Sequence, residues 1–305
     1  MDKPKLAIVI PYFKLTYFEE TLKSLKAQTN QNFSLYIGND NSPEDPQYLI
    51  EKYSDIITLY KKFETNLGGV SLTKQWERCI DTMVKDEEWI MLLCDDDLLS
   101  VNYVNKFYLH LDRVINLNIS LIKYNCKVIN TKGDVVQGPY TYNQIEDSVL
   151  FFKKLFFNKA FSTLSENVFR KDKYQKYRYQ NFELAFGSDA IAVLEYSEFS
   201  NIYMIVDEYM TFRRSDINIS GNRSDKNLQI RKMKGNTSYM YYLLNNYSNK
   251  FDYLTKLEMC KMLYRNFRVA YRGDFKMNIK CFINIINILS LKDVFKLVKR
   301  KDGYR

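Results

Sequence analysis

Apolar residues switch between two periods along the first hundred positions. Leu6-Ala7-Ile8-Val9-Ile10 is a continuous apolar run and predicts a strand stopped by Pro11. Phe18, Leu22 and Leu25 fall on one helical face, which predicts a helix over 18–28. A second strand over 33–38 runs into Asn39-Asp40-Asn41-Ser42-Pro43, a cluster of turn residues. A short helix over 46–53 and a third strand over 57–61 follow. Gly68-Gly69 then opens a helix over 71–85, and 89–94 is a fourth strand. Unbroken apolar strands that alternate with helices predict an α/β fold with a mainly parallel, doubly wound sheet.

The later chain is less regular. It predicts a helix over 101–115, two strands within 120–136 around the turn Thr131-Lys132-Gly133-Asp134, and an aromatic-rich helix over 148–158. A helix over 189–200 carries Asp189 at its start, and a strand covers 202–206. Residues 211–223 lack periodicity and contain Gly221, so they are predicted as a long loop. From residue 227 the pattern is helical, with segments over 239–247, 251–271 and 278–299.

Composition narrows the class. The chain has 305 residues, 46% of them hydrophobic and 27% charged, as in ordinary globular proteins. Its five cysteines are scattered without CxxC spacing, which argues against a disulfide framework or a zinc site. His110 is the single histidine and is predicted to be structural. No apolar run approaches the ~18 residues a membrane span requires. The start Met1-Asp2-Lys3-Pro4 has no leader pattern, so a cytoplasmic location is expected. Residues 201–305 hold 21 Lys and Arg against 9 Asp and Glu, so the net charge of +9 is concentrated in the helical end. A basic, tyrosine-rich end can meet anionic lipid, nucleic acid or acidic substrates, or form a solvated helical surface.

The sharpest chemical signal is Cys94-Asp95-Asp96-Asp97, joined without a spacer to the apolar run Trp89-Ile90-Met91-Leu92-Leu93. Adjacent carboxylates repel and resist burial. At the carboxyl end of a buried strand they would suit a hard divalent cation that also binds phosphate oxygens. An acidic turn or helix start is the plainer alternative.

Four features recur at the strand ends in a fixed order. They are Pro11-Tyr12-Phe13, then Asn39-Asp40-Asn41-Ser42, then Asn66-Leu67-Gly68-Gly69-Val70-Ser71 before a helix, then the acids. With the helix ending Ser24-Leu25-Lys26-Ala27-Gln28-Thr29, this set resembles family 2 glycosyltransferases of GT-A fold. The resemblance covers about residues 5–105 well and 180–222 loosely. It implies a GT-A catalytic region over 1–222, with a nucleotide-sugar and metal half (1–115), an acceptor half (116–222) and a helical region over 223–305. The activity implied is inverting transfer of one sugar from a nucleotide-sugar, expected to be UDP-linked, to a hydroxyl of a growing glycan.

The resemblance also implies site roles. Asp40 would accept a hydrogen bond from the base edge, flanked by Pro11 through its backbone and by the ring of Tyr12. Asn39 departs from the pattern, which often has an acid there. Lys74 falls where a basic residue lies near the phosphates. Aligned on Leu98 and Leu99, Cys94 takes the place of the first acid of an Asp-x-Asp motif. Asp96 is then the main ligand of Mn²⁺ or Mg²⁺, Asp95 faces the ribose or the metal's water, and Asp97 is a second ligand or a helix cap. The other register makes Asp95 and Asp97 the motif. Asp189 is the expected base, with Glu183 as its substitute. Arg213, Arg214 and Ser220, in the loop after Phe212, would close on the diphosphate. The partners implied are a nucleotide-sugar donor and a glycan or lipid-linked glycan acceptor.

The basic tail lies outside the resemblance. Phe282, Ile283, Ile285, Ile286, Ile288, Leu289, Leu291, Val294, Phe295 and Val298 alternate with lysines, as in a helix lying on the inner membrane face or one packed on the catalytic region. Nucleic acid is not an expected partner. A binding protein without catalysis is the alternative reading.

Overall fold

The computed structural model describes residues 4–215, 218–219, 221–222 and 224–299. Ten strands and eleven α-helices are found among them. The first half is β1 (Leu6–Tyr12), α1 (Phe18–Lys26), β2 (Ser34–Asn39), α2 (Gln47–Lys52), β3 (Leu59–Lys62), α3 (Leu72–Met83), β4 (Trp89–Leu92), β5 (Leu98–Leu99) and α4 (Tyr103–Asn116). The middle is β6 (Leu121–Ile129), β7 (Val135–Gln137), β8 (Ile145–Asp147), α5 (Ser148–Phe156), β9 (Asn167–Arg170), α6 (Lys171–Tyr177), α7 (Ser188–Tyr196) and β10 (Asn201–Arg213). The end is α8 (Lys226–Tyr247), α9 (Tyr253–Ala270), α10 (Phe275–Ile288) and α11 (Leu291–Lys299).

All strands join one sheet in the order β3-β2-β1-β4-β9-β6-β10-β5, with β7 on β6 and β8 on β10. The strands β3-β2-β1-β4 run parallel, as the alternating pattern predicts. Beyond β4 the sheet takes antiparallel neighbours, because β9 lies between β4 and β6 against both. The pattern did not reveal β9: four residues with only Val168 and Phe169 apolar make no periodic signal.

Pro11 does not stop β1. Val9 accepts from the Leu93 N–H and Tyr12 from the Asp40 N–H, so Val9 and Pro11 face β4 while Tyr12 faces β2. Pro11 therefore meets β4 past its last paired residue, where the missing N–H costs no ladder bond. The expected loop over 211–223 is also shortened. β10 continues to Arg213 through an irregularity between Ile205 and Tyr209. Exposed Val206 and Asp207 at that bulge break the apolar pattern and hide the strand's second half. The helix expected over 278–299 is two helices, since Leu289 turns extended and Ser290 leads into α11.

Two apolar clusters fill the faces of the sheet. A third joins Phe152, Ala190, Ile191 and Leu194 to Tyr239, Met240 and Leu243 of α8, and to α9–α11. The helical end thus packs on α7, the helix that carries Asp189. A buried ion pair links β6 to the residue before β9. Lys123 bonds Glu166, at 1% and 0% side-chain exposure, and Ser162 at 2.8 Å. Lys123→Met would leave Glu166 buried without its cation. A loss of about 3–5 kcal/mol of unfolding free energy is expected, measurable by urea titration.

Candidate functional site

The carboxyl ends of β1, β2, β4 and β10 converge, and the turn after β4 is tied to each of its neighbours. Asp95 Oδ2 accepts from the N–H groups of Phe13 and Lys14, both at 2.7 Å, which fixes the end of β4 to the end of β1. Thr21 of α1 donates to the carbonyls of Asp95 and Asp97. Asp97 accepts from Ser165 Oγ at 2.6 Å and from the Arg213 N–H at 3.1 Å. Asp96 Oδ2 accepts from Asn218 Nδ2 at 2.9 Å. The acids are thus neither a helix start nor a solvated turn. Asp97, expected as a possible helix cap, is fully buried and leads into β5 instead.

Burial and mutual repulsion act on this turn together. Burial, then the neighbouring charge of Asp96, pushes the Asp95 carboxyl up to about 7 against the two N–H bonds that hold it down. Burial also raises Asp96 and, with repulsion from Asp96, raises Asp97 strongly. One ligand atom each from Cys94, Asp96 and Asp97 lie within 4.8 Å of one another. Two carboxylates and a thiol brought this close, with their charge disfavoured by burial, are a donor set that a divalent cation fits. Asp95 is outside that group because its carboxylate turns toward β1.

Asp40 is 4% exposed and already committed. Its oxygens accept from Leu67 N–H and Gly68 N–H, each at 2.8 Å, and pair with Arg78 Nη2 at 2.5 Å. It therefore shapes the glycine loop before α3. Burial raises its carboxyl, with those three partners opposing. Asn39, where an acid was expected, is fully buried, donates to Tyr60 and accepts from the Ser42 N–H. Its amide fixes the turn.

Tyr12, Lys74 and Arg213 are placed otherwise than their expected roles would need. The ring of Tyr12 is wholly buried, 4.6 Å from Phe18, with its hydroxyl donating to the Glu44 carbonyl, so it offers no face to a base. Pro11 is half-buried at the crevice. Lys74 is exposed, and the α3 cation that reaches the strand ends is Arg78, one turn on, stacked 4.0 Å from Phe63. Arg213 is no loop arginine. It is 2% exposed, pairs with Glu20 at 2.5 Å, donates to the Asp96 carbonyl and stacks over Tyr17. Its guanidinium braces the acidic turn and is spent there. Arg214 is half-buried and bonds Gln137 at 3.1 Å. Ser220 lies outside the described residues.

Asp189 stands in the first turn of α7, after Gly187 at φ 84°. A Cβ on Gly187 would also strike the Tyr239 ring, so glycine is required twice over. Burial pushes the Asp189 carboxyl up to about 6, against the Ala190 N–H and the charge of Lys123. Glu183 is instead paired with Arg231 of α8 at 2.5 Å. That pair lines a polar cleft of 410 Å³ with Gly68–Leu72, Asn181 and Ile219. Asn181 accepts there from Ser71 and Thr73. Arg78, Asn181 and Asn218 are the site residues the pattern missed. Only Asn218 carried a signal, as a polar residue in the loop after Phe212.

A family model described as glycosyl transferase family 2 matches residues 7–178. Among solved structures, S. aureus TarS 1–349 superposes with a TM-score of 0.59 at 16% identity, over 97% of this chain and 81% of that one. TarS 1–349 in complex with UDP-GlcNAc superposes with a TM-score of 0.60 at 15% identity, over 96% and 81%. The mannosyltransferase PcManGT from Pyrobaculum calidifontis, in complex with GDP-Man and Mn²⁺, gives 0.55 at 10% identity, over 97% and 79%. At these identities the likeness is one of fold, and it extends through the helical end. No curated protein sequence gives a significant match.

Proposed function

As the chain belongs to glycosyl transferase family 2 and is a glycosyltransferase, we propose that it moves one sugar, with inversion, from a UDP-linked donor to a hydroxyl of a glycan or lipid-linked glycan. The observation that carries the donor half is the gathering of Cys94, Asp96 and Asp97 at the end of β4. Two of the similar folds were solved with a nucleotide-sugar, one of them with Mn²⁺.

Asp96 and Asp97 would hold the cation, with Asp96 the more accessible of the two. This favours the register in which Cys94 replaces the first acid, because Asp95 is turned away. A bound divalent cation supplies positive charge to the leaving diphosphate. A thiol in the donor set favours Mn²⁺ over Mg²⁺, which prefers oxygen alone. Asp40, by holding the Leu67 and Gly68 amides, keeps the glycine loop shaped for the nucleotide. Pro11 borders it, and Arg214 is the loop arginine left to approach the phosphates.

Asp189 takes the proton of the acceptor hydroxyl. That oxygen forms its bond to the anomeric carbon as the bond from that carbon to the diphosphate oxygen breaks, and the electron pair leaves with the nucleotide. A carboxyl near pKa 6 accepts a proton better than an ordinary aspartate and is still ionised at neutral pH. Glu183, held by Arg231, is the weaker candidate.

A panel of nucleotide-sugars with and without Mn²⁺ tests the donor by thermal unfolding. A ligand bound only by the folded state at ~100 times its Kd stabilises by about 2.7 kcal/mol. A UDP-sugar is expected to raise the Tm with Mn²⁺ more than without it. A response to GDP-sugars alone would overturn the choice of base.

A further inference from the structure

The helical end carries an exposed apolar face on α10. On α10, Phe275, Ile279, Ile283 and Ile286 recur at helical spacing on one face, and all are exposed, Phe275 at 77%. The stripe is about 16 Å long at 1.5 Å per residue. Leu291, at 73% exposure, continues apolar surface onto α11. Beside the stripe an apolar groove of 500 Å³ opens between α9, α10 and α11, rimmed by Arg268 and Arg272. The buried face of the same helix is already satisfied, with Cys281 and Ile285 in the third core, so the stripe is a second apolar face. A solvated surface helix does not need one.

Charge identifies what covers it. Residues 264–299 hold eight Lys and Arg against two acids, Asp274 and Asp293. Both acids are occupied: Asp274 accepts from the Met277 N–H at the start of α10, and Asp293 from Tyr253, Ser290 and Lys296. Lys276 and Lys280 flank the stripe and are exposed. A second copy of this chain would bring the same cations against themselves. An anionic lipid surface instead offers headgroup charge to the lysines and acyl chains to the stripe, and long lysine stems can reach headgroups while the stripe is immersed. We infer that the α10–α11 face docks the enzyme on an anionic bilayer surface, lying in the interface without crossing it. Among the described residues no helix is long and apolar enough to cross.

The test is co-sedimentation of the full chain with vesicles of equal parts phosphatidylglycerol and phosphatidylcholine, against vesicles of phosphatidylcholine alone. Binding is expected to the first, to be weak on the second, and to fall at high salt. Ile279→Ser with Ile283→Ser removes apolar surface, and Lys276→Gln with Lys280→Gln removes charge. Each pair is expected to weaken binding by about tenfold or more. All four positions are exposed, so circular dichroism and Tm should stay at wild-type values. Absent binding to anionic vesicles, or equal binding to both kinds, would overturn the inference. So would a dimer by light scattering that the serine pair dissociates while vesicles still fail to bind. None of these readouts uses a donor sugar, so failure here leaves the transferase reading standing.

Discussion

Asp189→Asn is expected to lower kcat by on the order of 10²–10⁴-fold, the span a positioned general base contributes. The amide keeps the size of the side chain and can still accept the Ala190 N–H, so the start of α7 should hold. Donor affinity, read as Mn²⁺-dependent stabilisation by the nucleotide-sugar, should stay near wild type, because the role proposed for Asp189 is on the acceptor side. The pH profile supplies a second, independent sign. Burial raises the carboxyl to about 6. Below that pH it is protonated and cannot take the acceptor's proton, so wild-type kcat should fall as pH falls through about 6 and level off above it. The asparagine variant should lose this limb. A variant that keeps the limb at wild-type rate would move the role of base elsewhere, and Glu183→Gln would be the next measurement.

The same residues show what the sequence could and could not reveal. Its strand ends were legible where an apolar run must stop at polar groups, so β2 and β4 stop at Asp40 and the acidic turn, while β1 runs on past Pro11 to Tyr12. Residue roles within the crevice were less legible, since they depend on which way a side chain turns. Asp40 and Arg213 have the expected identities, yet both are consumed internally, one by backbone amides and Arg78, the other by Glu20 and the Asp96 carbonyl. Both pairings cross long sequence separations and leave no periodic trace. On α3 the positions 74 and 78 lie one turn apart, and it is Arg78 that extends over Phe63 to Asp40 at the strand end while Lys74 is exposed. The helical end was recognised as helix, and packing on the catalytic region was one of its two readings, but the contact it makes was not legible. α8 packs Tyr239 against Gly187 and so buttresses the turn that presents Asp189.

Asp96→Asn should separate function from stability in opposite directions. Asp96 sits between two other carboxylates in a turn where burial disfavours charge on all three. Removing one charge relieves repulsion on Asp95 and Asp97, and the asparagine oxygen can still accept from Asn218. Without added metal the variant is therefore expected to unfold at a higher temperature than wild type. Transfer should fall by on the order of 10²–10³-fold, the cost of losing one preorganised stabiliser of a leaving charge. The added stabilisation that Mn²⁺ gives to nucleotide-sugar binding should vanish. Gain of stability with loss of activity is the sign of an acid kept for its ligand and not for the fold. A less stable Asp96→Asn that still transfers sugar would make this acid a structural tie to the loop after β10, and would leave Asp97, fully buried against Ser165 and Arg213, to hold the cation.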